Sequence, residues 1–219
     1  MSAPGASGFA SVVLDVDSTL CGIEGIDWLA ALRGSDVGAK VTNLTDQAMH
    51  GRIALDAVYG ARLALVQPTR DEVEMLAGLY VSALAAGAAR AVRRLRDAGR
   101  RVVLVSGGLR EAILPVARKL AIPDDDVFAV AARFTADGDY EGHDAASPLT
   151  TAMGKRDVVE ALALPPRVLA VGDGATDLAI RPVVDAFAAF TGFVRRDSVV
   201  QQADLVIDSF DQLTGIVLA

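Results

Sequence analysis

Residues 11–20 read Ser-Val-Val-Leu-Asp-Val-Asp-Ser-Thr-Leu: a short apolar run ends in two carboxylates two residues apart, Asp15 and Asp17, followed by two hydroxyls. Carboxylates this close repel unless a cation or a shared proton lies between them. A solvated acidic turn has the same pattern, so its meaning depends on what else the chain brings to the place. Two further apolar runs end in the same manner. Residues 101–105 stop at Ser106-Gly107-Gly108, and residues 168–171 stop at Gly172-Asp173-Gly174-Ala175-Thr176-Asp177. Four carboxylates and a hydroxyl arriving at one edge describe a metal site with an anion beside it. Magnesium suits that set, because it takes carboxylate and water oxygens and leaves positions open for a substrate phosphate. Lys155, in the first turn of a helix, supplies the cation that a phosphate needs beyond the metal. Ser106-Gly107-Gly108 is expected to open a helix, whose hydroxyl, free amides and dipole make an anion seat.

Other chemistries fail on spacing. Asp15-x-Asp17-x-Thr19 begins like a calcium loop, but Leu20 stands where the turn glycine is required. Gly172-x-Gly174-x-x-Asp177 lacks the third glycine of a dinucleotide fingerprint, and Gly154-Lys155-Arg156 lacks the hydroxyl of a phosphate loop. No Gly-x-Ser-x-Gly elbow accompanies the two histidines.

These groups converge only if the runs before them are neighbouring strands. Val12-Val13-Leu14 is short and β-branched, which suits a buried strand, and alternation puts Asp15 and Asp17 on one side where the strand runs out. Residues 23–87 show no strand pattern. They read as helices over 26–32, 37–48, 53–65 and 71–84, with Thr69 and Glu72 forming a capping box before the last. Strand and helix then alternate. Helices are expected over 88–98, where Arg90, Arg93, Arg94 and Arg96 make a solvated basic face, over 109–120, bent at Pro115, and over 154–164. Strands are expected over 127–134, leading through Asp137-Gly138 into a small hairpin, and over 186–190 and 205–207. Such alternation implies a parallel sheet covered on both faces, with ligands at the carboxyl ends of its strands.

The 219 residues are 52% hydrophobic and 22% charged, enough for a sizeable core. A net charge of −7 argues against nucleic-acid binding and leaves any anionic ligand to a few local cations. One cysteine, Cys21, excludes an intrachain disulfide, and with two histidines gives no basis for a Cys/His zinc site. Residues 1–9 lack a basic start and an apolar stretch, and no run is long enough to span a membrane, so a cytoplasmic protein is expected. Oligomeric state is left open, a homodimer included.

Asp15-Val16-Asp17-Ser18-Thr19, Ser106-Gly107-Gly108, Gly154-Lys155 and Gly172–Asp177 match, in order, the four motifs of the haloacid dehalogenase superfamily of phosphatases. Within it the chain resembles the phosphoserine phosphatase family, through Glu24-Gly25-Ile26-Asp27, Ala61 to Pro68, Phe128-Ala129 and Asp185-Ala186-Phe187. The resemblance implies a Rossmann-like core, residues 1–22 and 88–219, with an inserted all-helical cap, residues 23–87. It implies magnesium-dependent hydrolysis of O-phospho-L-serine to L-serine and phosphate through an aspartyl-phosphate, the last step of serine biosynthesis. Asp15 would be the nucleophile and Asp17 the acid and base. Asp15, the backbone carbonyl of Asp17, and Asp173 would hold the metal, with Asp177 in support. Ser106, Gly107, Gly108, Lys155 and Thr176 would bind the phosphoryl group, while Glu24 meets the substrate's ammonium and Arg62 its carboxylate. Thr176 stands where many members carry Asn, and the regulatory domain that precedes many bacterial members is not expected here. The alternatives are a phosphatase of the same mechanism for phosphothreonine, phosphohomoserine or another small phosphomonoester, and a non-catalytic phosphoamino-acid binding module.

Overall fold

The computed structural model describes residues 8–50, 52, 53, 56 and 58–219. Strand β1 (Ser11–Leu14) is buried throughout, as a strand covered on both faces must be. Four helices follow it: α1 (Gly25–Ala31), α2 (Ser35–Met49), α3 (Tyr59–Val66) and α4 (Arg70–Ser82). The expected helix over 53–65 is seen from Tyr59, and residues 54, 55 and 57 of that stretch lie outside the described residues. The capping box of α4 forms as its sequence predicts. The Glu72 amide donates to Thr69 Oγ1, and the Thr69 amide donates to Glu72 Oε2 at 2.8 Å. Arg33 also binds Glu72, which ties the start of α4 to the end of α1.

Helix α5 (Ala88–Asp97) returns the chain to the sheet as β2 (Arg101–Leu109). After α6 (Arg110–Lys119), with Pro115 in its interior, come β3 (Val127–Val130), the hairpin β4 (Ala132–Phe134) and β5 (Tyr140–His143), and α7 (Gly154–Ala161). The chain ends with β6 (Val168–Gly172), α8 (Ala175–Leu178), β7 (Ala186–Phe190), α9 (Asp197–Val200), β8 (Leu205–Ile207) and α10 (Phe210–Leu218). The main sheet has six strands, all parallel, in the order β3-β2-β1-β6-β7-β8. Leu14 is in register with Leu104 on one side and Val171 on the other. Asp15 therefore leaves β1 where both neighbours are within two residues of their polar ends, and its amide still donates to the Val171 carbonyl at 3.0 Å.

Two expectations are corrected. Ser106-Gly107-Gly108 does not open a helix: β2 continues through it, because buried Leu109 returns to pair with Val130 on β3. The β2–β3 register shifts between Val105 and Leu109, so the three residues form an irregularity within the strand, and α6 starts only at Arg110. The single strand expected over 127–134 is two. β3 is the sheet's edge strand, and past Val130 the chain leaves it to pair antiparallel with β5, through a turn in which Gly138 has φ +91°. Among the described residues, no helix is long and apolar enough to cross a membrane.

Candidate active site

Lys155 occupies the centre of the sheet-edge cluster. Its Nζ donates to Asp15 Oδ1 at 2.5 Å and to Asp177 Oδ1 at 2.6 Å, and all three side chains are at least nine-tenths buried. Gly154 makes this placement possible: a Cβ there would lie 1.6 Å from the Pro148 carbonyl oxygen, so α7 can enter this close to the preceding turn only on a glycine. Asp177 is fixed a second time by the Gly174 amide, which donates to its Oδ2 at 3.0 Å. Asp173 accepts from Thr19 Oγ1 at 3.1 Å and pairs with the guanidinium of Arg196. Ser106 is buried, and its Oγ accepts from the Gly108 amide at 3.0 Å.

The helices supply the opposite wall. Glu24 accepts from Ser18 Oγ at 2.6 Å, and Arg196 approaches it at 3.8 Å. Arg62 on α3 is 4% exposed; its Nη1 donates to Thr45 Oγ1 at 2.8 Å, and Thr45 in turn donates to Asp27 at 2.5 Å. The guanidinium lies 5.5 Å from the Tyr59 ring centre, and its Nε is buried with no hydrogen-bond partner among the described residues. Tyr59 reaches across the cavity to donate to the Gly107 carbonyl at 2.7 Å. Asp15, Asp17, Glu24 and Arg62 share one cavity with Gly107, Gly108, Lys155, Asp173 and Thr176. Ser106 and Asp177 stand directly behind it, bonded to Gly108 and Lys155.

Burial raises the Asp15 carboxyl well above its usual range, helped by the charge on Asp177 and opposed by Lys155. Burial also raises Asp17, against hydrogen bonds from Tyr80 and the Gly25 amide. Glu24 is pushed up to about 7 by loss of water and then by the charge on Asp17, with Ser18 and Arg196 opposing. For Lys155 burial acts downward, but Asp15 and Asp177 outweigh it and hold the ammonium charged above its usual range. The cluster thus combines buried carboxylates of raised proton affinity with one ammonium that stays ionised.

Asp15, Asp173 and Asp177 each present a carboxylate oxygen within 4.8 Å of the others. That donor set is oxygen only, buried and anionic, which fits a hard divalent cation and not a soft one. The Asp17 carboxylate stands apart from this trio, turned to the Gly25 amide at 2.7 Å and the Tyr80 hydroxyl at 2.6 Å.

Sequence reasoning missed Arg196, Tyr59, Tyr80 and Thr45. Arg196 carried a usable signal, because it follows the loop after β7, another strand ending on the same edge. The three hydroxyls sit on helices with nothing in their spacing to mark them.

The family model of haloacid dehalogenase-like hydrolases matches residues 9–180. A phosphoserine phosphatase of Bos taurus is 39% identical over 208 residues, covering 94% of this chain and 92% of that protein. A phosphoserine phosphohydrolase-like protein of Francisella tularensis has a solved structure that superposes with TM-score 0.87 at 25% identity, over 95% of this chain and 100% of that one. A phospho-aspartyl intermediate analogue of phosphoserine phosphatase shares the fold, with TM-score 0.79 at 24% identity, over 96% and 100% of the two chains. Family hydrolases use a divalent metal, which the trio above is suited to hold. With a parallel sheet whose central strands deliver Asp15, Ser106 and Asp173 to one edge, and a match across most of its length, this chain belongs to the haloacid dehalogenase-like hydrolase family.

Proposed function

We propose that this chain is a magnesium-dependent phosphoserine phosphatase, working in the cytoplasm in serine biosynthesis, with helices α1–α4 of residues 23–87 as a cap over the catalytic core. One observation carries the substrate assignment: a buried guanidinium whose Nε has no partner among the described residues, that of Arg62, lines the same cavity as Asp15 and Lys155. A buried cation in that state is suited to a substrate carboxylate, and Glu24, lining the same cavity, to an ammonium. The relatives' names point the same way.

In this reading Asp15 attacks phosphorus through the oxygen that Lys155 does not hold. The bond from phosphorus to the seryl oxygen breaks, and Asp17 gives that oxygen its proton. Asp17 then takes a proton from water, which attacks phosphorus and frees Asp15 and inorganic phosphate. Lys155, Ser106 and the Gly107–Gly108 backbone bind the transferring group, with Thr176 beside them. Asp15, the Asp17 carbonyl and Asp173 would hold Mg2+, with Asp177 in support; when bound, the cation offsets charge on the phosphoryl oxygens and favours ionised Asp15. Phosphate monoesters need up to roughly 10²¹-fold acceleration, on the order of 28 kcal/mol. A single oriented donor contributes about 3–4 kcal/mol, so these groups must act together.

The test is kcat/KM across a panel of phosphoserine, phosphothreonine, phosphohomoserine and an aryl phosphate. O-Phospho-L-serine should lead, with serine and phosphate released in equal amounts. A different leader would keep the mechanism and move the substrate; tight binding without turnover in Mg2+ would leave only a binding module.

A further inference from the structure

Among the described residues of the site, Asp17 is the one carboxylate that neither Lys155 nor Arg196 pairs with and that stands outside the acidic trio. Its Oδ1 instead accepts two short bonds from the helical side, from the Gly25 amide at 2.7 Å and from the Tyr80 hydroxyl at 2.6 Å. Tyr80 lies near the end of α4 and is fully buried. The backbone makes room for its hydroxyl: a Cβ on residue 25 would stand 2.1 Å from the Tyr80 oxygen, so the contact exists only because residue 25 is glycine. With both donors on Oδ1, the other oxygen faces the opposite way. Oδ2 lies against Gly108, 3.0 Å from where a Cβ would project, with Ser106 Oγ 3.2 Å from the same point. In the mechanism proposed above, that is the side on which the phosphoryl group and its leaving oxygen would be seated.

We infer that Tyr80 is a positioning residue for the acid and base, pinning Oδ1 of Asp17 so that Oδ2 alone exchanges protons with the leaving oxygen and the incoming water. This rests on the mechanism proposed above, but not on phosphoserine being the ester. The contact crosses from α4 to the loop after β1, and Cys21 Sγ donates to the Tyr80 carbonyl at 3.3 Å, so the residue that pins Asp17 is itself held to that loop. A carboxylate held by the Gly25 amide alone keeps one anchor and can rotate about its Cβ–Cγ bond, which spends time with neither oxygen on the leaving group.

Tyr80→Phe removes the hydroxyl and keeps the ring. The leaving group distinguishes positioning from structure, because a nitrophenolate departs without a proton whereas a seryl alkoxide does not. With phosphoserine, kcat per active site should fall roughly tenfold while KM stays within about twofold. With p-nitrophenyl phosphate, the rate of the pre-steady-state burst should be unchanged, and only the later steady-state rate, which needs Asp17 as base, should fall. Burst amplitude counts folded sites, so lost protein scales out of both numbers. Equal loss in burst rate and in phosphoserine turnover, or no loss in either, overturns the inference. If the wild type prefers another alkyl phosphomonoester, that ester replaces phosphoserine and the comparison of leaving groups decides Tyr80 unchanged.

Discussion

Asp15, Asp173 and Ser106, the last just behind the cavity, are delivered by three neighbouring strands of the sheet, whereas Arg62, Tyr59 and Tyr80 come from helices packed over that edge. The first group is held by register. Leu14 pairs with Leu104 and with Val171, and each polar residue follows within two positions. The second group is held by single hydroxyl contacts, Thr45 to Arg62, Tyr59 to the Gly107 carbonyl, and Tyr80 to Asp17. A sheet edge places charges with little freedom, which suits the groups proposed to act at phosphorus. The helices also bury Leu63, Val73, Leu76 and Tyr80 in the common core, and in the proposed reading their polar groups meet the part of the substrate that is not phosphate.

The largest effect should come from the sheet side. Asp15→Asn removes the proposed nucleophile and leaves its shape, and kcat should fall by about 10³-fold or more. The loss should be equal for phosphoserine and for an aryl phosphate, since both are attacked by the same oxygen. Phosphate release assays on both substrates check this, and a loss confined to phosphoserine would move Asp15 from chemistry to recognition.

Arg62→Ala tests the helical side and should split the substrates. Losing a hydrogen-bonded charge costs about 2 kcal/mol, so KM for phosphoserine should rise roughly 30-fold. An aryl phosphate with no carboxylate should keep its KM within about twofold. Equal changes for both would make Arg62 a strut for Thr45 and Tyr59.

The same contrast explains what could be read from the chain alone. Apolar runs with polar ends announce both the strands and the residues they deliver, so the parallel sheet, Asp15, Ser106, Asp173 and the capped start of α4 were all legible. The error at Ser106-Gly107-Gly108 came from reading two glycines as a strand stop, when the pull of Leu109 back into the sheet is a long-range packing force. The split of 127–134 was hidden for the same reason, because an edge strand's exit depends on its neighbour and not on its own alternation. Tyr59, Tyr80 and Thr45 were illegible for a stronger reason. Each meets a partner between 17 and 63 residues away, and nothing local separates a tyrosine that bonds a carboxylate from one that fills a core.

The smallest effect concerns Glu24 and comes from its proton. Its carboxyl is raised to about 7, so below that pH it binds a proton and is neutral, and above it is the anion that a substrate ammonium needs. From pH 8 to pH 6 the ionised fraction falls about tenfold, and kcat/KM for phosphoserine should fall with it. The phosphate itself also titrates near pH 6, so the useful quantity is a ratio, kcat/KM for phosphoserine over that for a hydroxy-acid phosphate lacking the amine. Phosphate titration and Asp17 chemistry are common to both esters and cancel, leaving Glu24. The ratio should rise with pH through a midpoint near 7 and flatten at a low value in Glu24→Gln. A ratio already flat in the wild type would mean that the ammonium is met elsewhere on the helical wall, and that Glu24 serves only to hold Ser18 and Arg196.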